Sequence, residues 1–172
     1  IGSVLALLIV VGMWWTYFDR IAESAQERLC QHRDPVLAAA DAYSYMHLII
    51  VAGIIILAGG LRLVAQDSVT APMPDAGRLA MCAGAATYLV GLAAFRVRML
   101  GERSYGRVLT AVALMVLYLV SGGFPAWVVG ALIAALLGAL CGAEVALGAA
   151  DEGVESASAP VRPGPPGAEH AG

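Results

Sequence analysis

Asp41-Ala42-Tyr43-Ser44-Tyr45-Met46-His47 leads into a run that stays almost wholly apolar from Tyr43 to Leu61. The reading of this stretch decides the fold. Crossing the hydrocarbon core of a bilayer takes about 20 residues, within a range of about 17–25, and this run is long enough. Histidine one turn inside such a helix is costly unless it faces protein or water. The stretch therefore predicts a membrane helix and marks His47 as a residue that needs a reason.

The same reading extends over the chain. Hydrophobic residues make up 60% and charged residues 13%, about half the charged fraction of an ordinary soluble domain. Five apolar segments appear, at about 1–18, 42–61, 79–95, 108–122 and 124–147. The second and fifth are long enough to span with ease. The first and third are adequate, and the fourth is short. Fold and layout follow: an all-α polytopic bundle of about five spans over 1–150, then a tail over 151–172 rich in Gly, Pro, Ser, Ala and Glu, read as disordered and cytoplasmic. The chain begins at Ile1 inside an apolar run, so it reads as the C-terminal piece of a longer protein. Ile1–Val11 lacks the basic start and the cleavage site of a signal peptide.

Charge sets an expected orientation. All ten basic residues are arginine. Arg20, Arg28 and Arg33 follow the first segment; Arg96, Arg98, Arg103 and Arg107 follow the third; Arg162 lies in the tail. Only Arg62 and Arg78 fall on the other side. This bias predicts that both Arg-rich loops and the C-terminus lie in the cytoplasm. Trp14, Trp15, Tyr17 and Phe18 form an interfacial aromatic belt at the cytoplasmic end of the first span. Ile21, Ala25 and Leu29, four residues apart, suggest that this helix continues along the surface until Pro35 ends it. Gly122-Gly123-Phe124-Pro125 predicts a tight turn, with Pro125 fitting the first turn of the next helix.

Candidate site residues are few. Tyr43, Ser44 and His47 share one helix face and form either a polar stripe lining a cavity or hydrogen-bonding glue between helices. A metal is not implied, since no histidine or carboxylate stands four residues on from His47. Asp41 caps the second helix or pairs with an arginine. Asp19, near the end of the first span, either lies within a continuing helix or pairs with Arg20, Arg96 or Arg98, because a carboxylate at a helix C-terminus opposes the dipole. Arg62 and Glu144 are read as interfacial. Gly59-Gly60 and Gly138-x-x-x-Gly142 are read as helix packing. Cys30, Cys82 and Cys141 are too scattered for a disulfide framework or a zinc site. Phosphate-binding loops, zinc-protease motifs and nucleophile elbows are absent, so no enzyme and no cofactor is expected. The net charge of −3 argues against nucleic acid.

Three blocks carry a resemblance: Trp14-Trp15-Thr16-Tyr17-Phe18-Asp19, Asp34-Pro35-Val36-Leu37, and Asp41-Ala42-Tyr43-Ser44-Tyr45-Met46-His47-Leu48-Ile49-Ile50-Val51-Ala52-Gly53. With their spacing they resemble the bacterial low temperature requirement A family of multi-pass membrane proteins, over roughly residues 14–60. The family often has a proline soon after the histidine, whereas Ile49-Ile50 stand here. The resemblance implies that this is the C-terminal half, that Asp19 echoes a like signature in the N-terminal half, and that this half and the lipid bilayer are the chain's partners. Two half-repeats, each placing polar groups inside helices, imply a transport- or channel-like role. The alternative is a non-catalytic sensor or scaffold linked to low-temperature growth.

Overall fold

A computed structural model describes residues 2–29, 35–66, 72–101 and 104–158, with the side chains of 2–17, 44–63, 72–98, 101 and 104–147. These residues form five α-helices: α1 (Gly2–Leu29), α2 (Pro35–Gln66), α3 (Asp75–Leu100), α4 (Tyr105–Val120) and α5 (Ala126–Ser158). Three stretches are long and apolar enough to cross a membrane: Ser44–Leu63, Asp75–Arg98 and Ala126–Leu147. Gly2–Tyr17 and Tyr105–Val120 are shorter apolar stretches. At a rise of about 1.5 Å per residue, α4 is about 24 Å long, somewhat under the thickness of a bilayer core.

Helix ends depart from the apolar runs in instructive ways. The polar continuation of α1 reaches Leu29, as the four-residue repeat predicted. Pro35 does not end that helix; it opens α2, where a missing N–H costs nothing. Asp41 thus lies inside α2 and is not its cap. Glu144 lies within α5, which runs on to Ser158. The tail expected over 151–172 starts along that helix, and from residue 159 it falls outside the described residues. Gly101 ends α3 in the left-handed region (φ 69°), its N–H donating to the Val97 carbonyl at 3.1 Å.

Two compact units emerge, residues 1–141 and 142–172. The first is the helical body. Within it α3 is central: 56% of its span is buried, against 22% for α2 and 33% for α5. Met81, Cys82, Ala85, Tyr88, Leu89 and Leu92 form its share of the core. The outer helices invert the pattern of a soluble protein. On α4, Arg107, Ala111, Leu114 and Leu117 make one inward stripe, while Leu109, Val112, Val116 and Leu119 face out.

Glycine sets the closest approach. Antiparallel α2 and α3 touch through Gly53 and Gly60 on one side and Gly84 and Gly91 on the other. A Cβ on Gly53 would stand 2.5 Å from the Tyr88 nitrogen, and one on Gly84 2.5 Å from the Leu57 nitrogen. Of the glycines expected to pack, Gly60 does so, whereas Gly59, Gly138 and Gly142 have open space at that position, and Gly53, Gly84 and Gly91 make the other close contacts. Parallel α1 and α5 are in contact through Leu5–Gly130 and Gly12–Leu137.

The loops at one end are tied together. The Met73 N–H donates to the Phe124 carbonyl at 3.2 Å, and Gly123 (φ 88°) makes the turn into α5 that the sequence predicted. At the same end the Arg78 guanidinium lies 5.2 Å from the Tyr118 ring centroid and bonds Asp75 at 2.8 Å.

Candidate functional site

Helical periodicity on α1 places Ile9, Met13 and Thr16 inward, while Trp14 and Trp15 face out. Thr16, with no exposed surface, would be a poor guest in an apolar core if its hydroxyl lacked a partner. It turns back on its own helix, 3.0 Å from the Gly12 carbonyl and 2.9 Å from that of Met13.

Three neighbouring helices direct side-chain donors at this one turn. From α3, the Tyr88 hydroxyl donates to the Met13 carbonyl. From α4, Arg107 Nη2 donates to the Thr16 carbonyl at 3.2 Å. From α5, Cys141 Sγ lies 3.7 Å from the Gly12 carbonyl. The Gly12 and Met13 carbonyls are thus approached both by the Thr16 hydroxyl and by a donor from a neighbouring helix. The carbonyl edge of α1 between Gly12 and Thr16 is therefore where α3, α4 and α5 converge.

Arg107 is the most demanding member, at 1% exposure. A buried guanidinium carries a large desolvation cost. It also stands in the first turn of α4, at the positive end of that helix, where a cation is disfavoured.

Next to this polar turn runs an apolar groove of about 430 Å³ between α1 and α2. Val10, Met13, Trp14 and Tyr17 line one wall; His47, Val51, Ile54, Ala58 and Leu61 are on the other; Tyr88 contributes from α3. Tyr88 thus touches both features.

The residues picked from the sequence divide. His47 is half-buried and lines the groove. Ser44 is exposed and does not line it. Asp19 lies on the backbone of α1, and Asp41 and Tyr43 on that of α2; their side chains fall outside the described residues. Thr16, Tyr88 and Arg107 escaped sequence reading. Thr16 was one residue of an aromatic run. Tyr88 sat unremarked in an apolar segment. Arg107 was counted as a loop arginine because the apolar run begins at Val108. A weak signal was available: Arg107, Ala111, Leu114 and Leu117 fall on one stripe.

A profile of the bacterial low temperature requirement A protein family matches residues 1–142. The chain belongs to that family. The match takes in α1 to α4 and most of the apolar length of α5. With apolar helices facing outward, membership makes this low temperature requirement A protein a multi-pass integral membrane protein. No curated protein and no solved structure matches the chain.

Proposed function

We propose that the protein is a transport- or channel-like bundle of the bacterial plasma membrane, with its C-terminus in the cytoplasm, and that it catalyses no bond-making chemistry. Arg107 carries this reading. Ionisable side chains retained inside membrane bundles usually serve a pathway, a gate or a bound ion, and Arg107 is fully enclosed at a turn where four helices meet. The polar path would run from this turn, through Thr16 and Tyr88, toward Asp19, Asp41, Tyr43, Ser44 and His47. His47 would be its proton-sensitive group, and Asp19 a charge partner or gate. The cytoplasmic placement rests on eight arginines against two.

The test is flux. The full-length protein would be reconstituted in liposomes, and proton, monovalent-cation and chloride flux recorded for the wild type, Arg107→Met, His47→Ala and Asp19→Asn. Flux that collapses in these variants supports conduction. Folded protein that moves none of these ions overturns it for them.

A second reading, a non-catalytic sensor of bilayer state or a scaffold, is favoured by one observation. Above His47 the groove lining is apolar, so lipid suits it better than water.

A further inference from the structure

We propose that the groove between α1 and α2 is a binding site for one acyl chain of a phospholipid, with the lipid phosphate at the His47 end. The proposal extends the second reading above, and its test reads lipid contact and not flux, so each can fail alone.

The groove has a defined length and polarity. Along α2 it runs from His47 to Leu61, about 21 Å at the helical rise, longer than one leaflet's share of about 15 Å. His47 stands at one end of this stretch of α2, and Trp14, Tyr17 and Tyr88 also line the groove. Beyond that end the walls are Val10, Ile54, Leu57, Ala58 and Leu61. A slot polar at one end and apolar along its length matches an amphiphile held lengthwise.

Water does not suit such a slot, because a bound water needs two to four polar partners. An empty slot forfeits the dispersion contacts of its lining. The bilayer around a multi-pass protein supplies the remaining occupant, a hydrocarbon chain. Charge agrees with the direction proposed. Because α3 runs antiparallel to α2, its last turns, with Arg96 and Arg98, lie at the level where α2 presents His47. A phosphate at that level would lie at the height of these two cations, whose helix also contributes Tyr88 to the groove.

The molecule contains its own control. A second apolar groove of about 480 Å³ separates α1 from α5, lined by Leu8, Trp15, Ala131, Ala135 and Gly138 among others. It is as large as the first, yet neither histidine nor tyrosine lines it. Bulk lipid would wet both grooves alike, whereas a headgroup-directed site favours the first.

The full-length protein would be reconstituted in vesicles of phosphatidylethanolamine and phosphatidylglycerol containing a trace of phosphatidylglycerol with a photoreactive diazirine on its acyl chain. After irradiation, adducts would be mapped by peptide mass spectrometry. The proposal expects adducts several-fold denser over residues 47–61 than over 131–138, or over the outward face of α4. Ala58→Trp, which fills the slot from an exposed position, removes that excess. Ala135→Trp, in the control groove, leaves it intact. Labelling that simply follows exposure, or an excess that survives Ala58→Trp, overturns the proposal. Should Ala58→Trp fail to fold, the wild-type adduct map decides by itself.

Discussion

Arg107 pays twice for its place, once in lost hydration and once at the positive end of α4. The test reads stability and flux together at a single residue. Replacing a buried charge together with its partners by apolar side chains is often neutral or stabilising, whereas removing one member alone costs about 3–5 kcal/mol. Arg107→Met leaves the Thr16 carbonyl without this donor, and is therefore expected to lower the thermal unfolding temperature in detergent and to abolish flux in liposomes. An Arg107→Met protein that still conducts would contradict the role given to Arg107. Tyr88 makes a smaller contribution. Tyr88→Phe removes one hydroxyl donor, and the Met13 carbonyl retains its lone pairs for its own helix. A loss of about 1 kcal/mol is expected, the usual net worth of one neutral hydrogen bond, measured by denaturant titration of the purified protein. A loss several times larger would mean that the convergence at α1 acts as one cooperative network.

At the level of helices, apolar runs in the sequence located all five elements, because length and hydropathy alone decide what can cross a bilayer. Their ends were harder to read. The extension of α1 beyond Tyr17 and the start of α2 at Pro35 lie in polar sequence, where hydropathy is silent and only periodicity and proline placement speak. Helix faces were harder still. Gly59 and Gly60 are neighbours, yet a Cβ on Gly60 would meet the Met81 nitrogen at 2.8 Å while one on Gly59 meets nothing within 4 Å. One step along a helix turns a residue by about 100°, so adjacent glycines point at different surroundings. The pairing of α2 with α3 decides which of them matters, and no local motif records that pairing. Gly84→Ala forces a methyl group against the backbone of Leu57, and overpacking of this kind costs about 1–3 kcal/mol. Gly59→Ala adds its methyl in open space and gains about 0.5–1 kcal/mol, since glycine is a poor helix residue. Thermal unfolding in one detergent should thus move the two variants in opposite directions. Equal shifts would contradict the antiparallel contact of α2 with α3.

Over the whole molecule the legible and illegible parts of the site divide the same way. His47 was visible because a titratable side chain inside an apolar run is anomalous on its own helix. Thr16, Tyr88 and Arg107 became a group only when α1, α3 and α4 were brought together, since each is unremarkable in its own segment. Charge is the property that reads directly from sequence to whole molecule. Chain direction alternates from helix to helix, so the turns carrying Arg96, Arg98 and Arg107 share one end of the body and those carrying Arg62 and Arg78 share the other. An excess of arginine resists translocation, and the orientation proposed above puts that end in the cytoplasm. With α5 running in the direction of α1 and α3, a reporter placed after Gly172 should lie with the arginine-rich end. A C-terminal green fluorescent protein fusion is expected to fluoresce in intact bacteria, and a C-terminal alkaline phosphatase fusion to be inactive. A fusion between α4 and α5, near Gly123, should behave the opposite way. An active phosphatase at Gly172 would invert the orientation. The His47 end of the groove would then face the outer leaflet, although the geometry of the groove and of the turn at Thr16 would be unchanged.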